Sequence, residues 1–138
     1  MKYGRLEKIN DQALEQRHFL DPDYEFRPIS THDRDFQEIK KKYPYYGFIE
    51  VKVEGVPPFV MFSNNDDRVA QTYFWYGPNA FESLSLRIWR EMVRNSEYVF
   101  DIGAFTGVYS MTAALANPEA RICAFEPIKR VFGRTTIN

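Results

Sequence analysis

The fold is decided by the stretch EYVFDIGAFTGVYSMTAALANPEARICAFEPIKRVFGRTTIN, residues 97–138. An apolar run at residues 98–100 predicts a strand, the small and apolar residues 108–116 predict a helix, and a second apolar run at 122–125 predicts another strand. Apolar runs without polar alternation favour parallel strands that are buried on both faces. The stretch therefore predicts a strand–helix–strand unit of an α/β fold.

A glycine-bearing turn joins the first strand to the helix. Asp101 ends the strand, and Gly103 and Gly107 lie on either side of the turn. Glycine lets the backbone turn sharply and approach a ligand, and helix amides near Gly107 present partial positive charge. Glu126 follows Gly107 by nineteen positions, at the tip of the second strand, where an acidic side chain typically accepts hydrogen bonds from ribose hydroxyls. This predicts a nucleotide-like ligand; the alternative is a structural turn without a ligand.

The glycine spacing favours an adenosyl ligand over a dinucleotide. The dinucleotide motif is G-x-G-x-x-G, and its middle glycine, which lets a pyrophosphate approach, is replaced here by Phe105. An ionised carboxylate only accepts hydrogen bonds, so Glu126 suits a diol and would repel a phosphate. The sequence contains no G-x-x-x-x-G-K motif, which excludes a P-loop.

The segments DIGAFTGVYS at 101–110 and AFEP at 124–127 resemble the FkbM-type class I S-adenosylmethionine-dependent methyltransferases, and the resemblance extends over roughly residues 81–138. It implies a cofactor loop at Asp101, Gly103, Ala104 and Gly107 and a ribose contact from Glu126. Phe105 is included in this cofactor-binding loop, although the family often carries asparagine at that position. Asn138 stands where relatives carry an asparagine that closes the next helix.

The resemblance implies methyl transfer from S-adenosylmethionine to a hydroxyl oxygen of a small molecule or a sugar. Glu82, near the start of a helix predicted at 80–93, matches a family glutamate that can reach the cofactor; the alternative is an exposed carboxylate in the first helical turn. No catalytic residue is assigned. Two other functions stay open: an inactive remnant that serves as an interaction module and self-associates through an open sheet edge, and an NAD-dependent enzyme, against which Phe105 argues.

The expected architecture is a Rossmann-like class I methyltransferase fold that is incomplete, because the resemblance accounts for only the first two parallel strands. The chain is expected to be either a fragment of a longer gene product or a shortened protein. The resemblance implies that residues 80–138 form the first part of an S-adenosylmethionine-binding methyltransferase domain, and residues 1–79 are expected to form a region of helices and a small antiparallel sheet. In the N-terminal region we predict helices at 5–17 and, after a capping box at 30–33, up to residue 42, followed by antiparallel strands at 48–53, 59–62 and 68–76.

Composition restricts the partners. The 138 residues carry a net charge of −1, which gives no electrostatic reason to expect nucleic acid or an anionic membrane. No apolar run approaches the ~20 residues of a membrane span, so a cytoplasmic location is expected. The only cysteine, Cys123, allows no internal disulfide and is expected to be a small core residue rather than a nucleophile.

Several local features have two interpretations. The lysines at 40–42 suit a solvated helix end, or else a patch for an anionic substrate. Residues 64–67 are expected to be a turn, since they lack the spaced ligands of an EF-hand calcium site. The aromatic clusters at 43–46 and 73–76 are expected to pack in the core rather than stack on bases. His18 and His32 have no neighbours that suggest a metal site, and none is expected.

Overall fold

A computed structural model describes residues 3–17, 34–78 and 80–138, which form a mixed α/β structure. Within these ranges the elements are, in chain order, α1 Tyr3–Arg17, α2 Arg34–Lys42, β1 Tyr46–Val51, β2 Phe59–Asn64, α3 Arg68–Tyr76, α4 Ser83–Val93, β3 Tyr98–Ile102, α5 Val108–Ala116, β4 Arg121–Phe125 and α6 Lys129–Thr135. The predicted capping box at 30–33, His18 and His32 lie outside the described residues. None of the described helices has the length and apolar character needed to cross a membrane.

The β1–β2 hairpin confirms the predicted antiparallel pairing. Tyr46 lies opposite Asn64 at one end and Val51 lies opposite Phe59 at the other. Asn10 of α1 extends the hairpin, because its side-chain amide donates to the carbonyl of Tyr46 at 2.7 Å and accepts from the N–H of Tyr46 at 3.0 Å. This pair of bonds imitates a strand neighbour and joins α1 to the sheet.

Residues 68–76 form the helix α3, so the predicted third antiparallel strand is wrong and the N-terminal sheet has two strands. Asp67 caps the helix, since its Oδ1 accepts from the N–H groups of Val69 and Ala70 at 2.8 and 3.2 Å. Gly77, with φ of 87°, ends it. All residues from 69 to 75 are buried. A helix surrounded by core shows no amphipathic period, and its aromatic residues therefore suggested a strand.

The main core lies between α3 and the hairpin. Gln71 connects them: its Nε2 donates to Ser63 Oγ at 2.6 Å, and its Oε1 accepts from Trp75 Nε1 at 3.0 Å. Phe74 stacks on Tyr45 with ring centroids 4.2 Å apart, which confirms core packing for the aromatic clusters. The same core includes Val108 of α5. The division of the chain near residue 80 stays a prediction.

The strand–helix–strand unit is confirmed. β3 pairs with β4 in parallel, with Val99 opposite Ile122, and α5 spans the predicted residues. Val99 packs with Val93 of α4 and Ala113 of α5 in a second, smaller core cluster. The two helices therefore cover one face of this sheet.

The other face of the β3–β4 sheet is exposed, so the expectation of burial on both faces is wrong. Its large apolar members, each at least half exposed, are Tyr98, Phe100, Ile102 and Phe125. Cys123 is exposed as well, which corrects its expected place in the core. The physical reason is that no described element packs against this face.

Helix α4 begins at Ser83, three residues later than the predicted start at residue 80. Leu84, Ile88 and Met92 are exposed, whereas Leu86 and Val93 are buried. The helix has two apolar stripes, and tertiary contacts bury the one that contains Leu86 and Val93. One of these contacts is the hydrogen bond that Trp89 Nε1 donates to the carbonyl of Tyr109 in α5 at 2.9 Å.

Candidate functional site

The loop between β3 and α5 has an unusual backbone. Gly103, Phe105 and Gly107 all have positive φ, at 85°, 49° and 93°. Glycine adopts this region without strain, which confirms the need for glycine at the two predicted positions. Phe105 has a Cβ and an aromatic ring in a left-handed conformation that usually costs roughly 1–2 kcal/mol. The loop is therefore held in shape by contacts that offset this cost.

Three successive amides of the loop bind the end of β4. The N–H groups of Gly103 and Ala104 donate to the carbonyl of Phe125 at 2.9 and 3.0 Å. The N–H of Phe105 donates to Oε2 of Glu126 at 3.0 Å. Because these donors already have acceptors, they are not offered to a ligand phosphate. This agrees with the sequence evidence against a pyrophosphate.

Glu126 uses both of its carboxylate oxygens. Oε1 accepts from the N–H of Ile128 at 2.8 Å, in addition to the bond from Phe105 to Oε2. An ionised carboxylate has about four lone-pair sites, so two remain for a ligand hydroxyl. Glu126 lies at the strand tip as predicted, and it also fixes the loop, a role that the spacing did not indicate.

Asp101 lies at the end of β3 and faces the first turn of α5. Its Oδ2 accepts from Ser110 Oγ at 2.6 Å. The bond joins the strand to the helix across the loop.

The N-terminal hairpin holds the loop from its other side. Asn138 donates from Nδ2 to the carbonyl of Thr106 at 2.7 Å and accepts at Oδ1 from the N–H of Phe62 at 2.7 Å. The hydroxyl of Thr135 donates to the carbonyl of Phe105. Asn138 therefore bridges β2 and the loop, a contact between residues far apart in sequence.

Asp67 places a buried carboxyl beside this loop. It is fully buried, and burial raises the pKa of its carboxyl above the usual value, while the bonded amides and the Arg134 guanidinium partly offset the rise. Among the described residues, the second oxygen of Asp67 and the hydroxyl of Thr106 have no hydrogen-bond partner. Arg134 forms an ion pair with the neighbouring Asp66.

A cavity of about 560 Å³ opens beside the loop. This volume lies within the roughly 300–1,000 Å³ typical of small-molecule sites. The residues that line it come from α3, the segment just before α4, the loop and α5, and they are Arg68, Val69, Phe81, Glu82, Gly103, Ala104, Phe105, Val108 and Tyr109. Four predicted site residues therefore meet at one cavity: Glu82, Gly103, Ala104 and Phe105. Asp101, Gly107 and Glu126 are not among its lining residues.

Glu82 is held at the cavity wall by a tyrosine. The hydroxyl of Tyr109 donates to Oε2 of Glu82 at 2.6 Å. Burial, and then the hydrogen bond to Glu82, raises the pKa of the Tyr109 phenol. Burial also raises the pKa of Tyr73, with smaller contributions from Tyr109 and Glu82. Both tyrosines therefore stay neutral at physiological pH.

Sequence reasoning missed five lining residues: Arg68, Val69, Phe81, Val108 and Tyr109. Arg68 and Val69 were not recognised as site residues because the segment that contains them, α3, was predicted to be a strand. The signal that could have placed them is Asp67, a favoured N-cap residue, with Gly77 at the far end of the same segment. A second cavity, of about 180 Å³, lies between α1, β1 and the end of α3 and does not include the loop.

Comparisons of the chain with protein-family models, with curated protein sequences and with solved structures find no match.

Proposed function

We propose that the chain binds S-adenosylmethionine in the cavity beside the β3–α5 loop and belongs with the FkbM-type class I methyltransferases. The observation that carries the proposal is the meeting of the glycine loop with Glu126 at the ends of two parallel strands. Ligands of open parallel sheets bind outside the carboxyl ends of the strands. We further propose that β3, α5 and β4 begin a Rossmann-like sheet.

The chemistry of the lining fits an adenosyl ligand better than a phosphate-bearing one. The amides of Gly103, Ala104 and Phe105 are already bonded to β4, which removes the usual donors for a pyrophosphate. Glu126 does not line the cavity itself, but it bonds to Phe105 of the lining and retains acceptor sites suited to ribose hydroxyls. Apolar contacts are available from Val69, Phe81 and Val108, and these suit the flat face of a base.

The proposed reaction is methyl transfer to a hydroxyl of a small molecule or a sugar. When bound, S-adenosylmethionine supplies an electrophilic methyl group on a sulfonium. The residues of this chain bind and orient: Glu126 takes the ribose, and the rigid loop fixes the depth of the ligand. An acceptor hydroxyl must also lose a proton, and no described residue is assigned to that step.

Calorimetric titration with S-adenosylhomocysteine tests the proposal. We expect binding by the wild-type chain and a loss of ~1–3 kcal/mol in Glu126→Ala, since charge-assisted hydrogen bonds to the ribose disappear. Glu119→Ala is the matched control, because Glu119 is an exposed carboxylate before β4. Absence of binding by a folded wild-type chain would contradict the proposal, and displacement of S-adenosylhomocysteine by NADH would favour the dinucleotide alternative.

A second candidate function, self-association, is favoured by the exposed face of the β3–β4 sheet. Phe100 and Phe125 stack there with ring centroids 6.4 Å apart, and Ile102 beside them is 84% exposed. An apolar face of this kind promotes association between copies. Light scattering over a range of protein concentrations should show association that Ile102→Lys reduces, whereas a monodisperse monomer at high concentration would count against this function.

A further inference from the structure

Two buried polar atoms lie close together behind the wall of the cavity. Asp67 is fully buried and Thr106 is 1% exposed. Burial raises the pKa of the Asp67 carboxyl, and the Thr106 side chain lies near enough to act on that pKa as well. Among the described residues, however, neither Oδ2 of Asp67 nor Oγ1 of Thr106 has a hydrogen-bond partner. Each atom has lost its contact with water without gaining a bond, which is unfavourable in a protein interior.

Other bonds hold the two residues in place. Oδ1 of Asp67 caps α3, and the carbonyl of Thr106 accepts from Asn138 at 2.7 Å. The two atoms without partners therefore belong to residues that are already anchored. A hydroxyl donates to an ionised carboxylate and accepts from a protonated carboxyl, so Thr106 can bond to Asp67 in either protonation state.

Both residues adjoin the lining of the cavity. Val69 follows Asp67 by two positions and lies in the first turn of α3, and Phe105 directly precedes Thr106 in the loop; Val69 and Phe105 line the cavity. A bond between Asp67 and Thr106 draws the start of α3 and the loop toward each other. The two walls then lie closer to a ligand between them.

We propose that Asp67 and Thr106 are positioning residues of the cavity: a hydrogen bond between Asp67 Oδ2 and Thr106 Oγ1 forms as the ligand binds and closes the loop on it. This inference rests on the proposed function, which supplies the adenosyl ligand. A ligand shifts such an equilibrium only as far as it binds one state more tightly than the other. Here the closed state offers the ligand a narrower cavity and gives both buried atoms a partner.

Thr106→Val tests the hydroxyl, because valine keeps the shape of the side chain. Without ligand the urea midpoint of unfolding should not fall, since the hydroxyl that is removed has no bond to lose. By calorimetry, S-adenosylhomocysteine should bind about threefold to tenfold more weakly, because the closing bond no longer forms. Thr106→Ser keeps the hydroxyl and should restore the affinity to within about twofold of the wild type. Thr112→Val is the matched control and should not change the affinity, since the buried Thr112 hydroxyl already donates to the carbonyl of Val108 at 2.8 Å.

Asp67→Ser tests the other partner. Serine is also a favoured N-cap residue, so α3 keeps its cap, but serine has no second oxygen for Thr106. The affinity for S-adenosylhomocysteine should therefore fall as it does in Thr106→Val. The double variant should bind no more weakly than either single variant, because both substitutions remove the same bond.

Four results would overturn the inference and leave the proposed function standing. They are wild-type affinity in Thr106→Val, losses of affinity that add in the double variant, a Thr106→Ser chain that binds as weakly as Thr106→Val, and a lower urea midpoint in Thr106→Val. The last result would show that the hydroxyl is already bonded without ligand. Absence of S-adenosylhomocysteine binding by a folded wild-type chain would overturn the proposed function and this inference together.

Discussion

The backbone N–H of Phe105 donates to Oε2 of Glu126 at 3.0 Å, across the gap between the first loop and the second strand of the parallel unit. The carboxylate that was expected to bind a ribose therefore also fixes the loop that forms the cavity. Loss of Glu126 should change stability as well as ligand affinity, and the two effects are measured separately.

Glu126→Ala should lower the free energy of unfolding by about 0.5–1.5 kcal/mol, because the N–H groups of Phe105 and Ile128 lose their acceptors while water can partly replace them. Glu126→Gln keeps one acceptor oxygen and should lose less. Urea unfolding followed by circular dichroism measures both variants. A Glu126→Gln chain with a lower free energy of unfolding than the Glu126→Ala chain would contradict this account.

Phe105→Asn should stabilise the chain by about 0.5–1.5 kcal/mol, since asparagine tolerates the left-handed conformation that Phe105 adopts. The phenyl ring is 38% exposed, so its removal costs little burial. Phe105→Val is the control and should destabilise, because β-branched residues fit positive φ poorly. Thermal unfolding of the wild-type, Phe105→Asn and Phe105→Val chains gives their order of stability. A valine variant as stable as the asparagine variant would exclude backbone strain at this position.

Asp67 should make stability depend on pH. Because burial raises the pKa of its carboxyl above the usual value of 3.8, the folded state favours the protonated form. Its contribution to stability is fully present below that value and is lost as the pH rises through the raised pKa. Asp67→Asn keeps the cap and cannot ionise, so the stability of the wild-type chain relative to this variant should fall as the pH rises above 3.8 and through the raised pKa.

Urea unfolding at several pH values measures that difference. Asp67→Ala is the control for the cap and should cost about 1 kcal/mol relative to Asp67→Asn at every pH, because the N–H groups of Val69 and Ala70 lose their acceptor. A wild-type chain that gains stability relative to Asp67→Asn as the pH rises would show that the pKa of Asp67 is lowered.

Asn138→Ala should cost about 1–3 kcal/mol, since it removes bonds to both Phe62 and Thr106. Asn138→Asp keeps the acceptor for the N–H of Phe62 but turns an oxygen toward the carbonyl of Thr106, so it should be no more stable than the alanine variant. Hydrogen exchange distinguishes the two: the Phe62 amide should lose protection in Asn138→Ala and keep it in Asn138→Asp. Equal protection of the Phe62 amide in both variants would contradict the conclusion that Asn138 bridges β2 and the loop.

Local signals predicted the parallel unit well. The apolar runs, the positive-φ glycines and the helix 108–116 are properties of short segments, and the structure reproduces them. The hairpin was also predictable, because its two strand segments are separated by a short turn and pair with neighbouring positions in the chain. The acid at 126 was also placed correctly at the tip of β4.

Tertiary contacts decided what the local pattern left ambiguous. Burial on all sides makes residues 68–76 a helix although their side chains favour a strand. Helix α4 has two apolar stripes, and the bond from Trp89 to α5 selects which one faces the core. The sheet face at Phe100 is exposed although its sequence is apolar, because burial depends on what packs against a face and not on the strand itself.

Local residue preferences specify the strand–loop–helix–strand unit, since strand, turn and helix preferences act within a few residues. Only the tertiary structure placed Arg68 and Tyr109 beside Glu82 at the cavity, and only it joined Asn138 to Phe62. These residues are distant in the chain, and no local preference specifies the charge or shape of a site that several separate elements build.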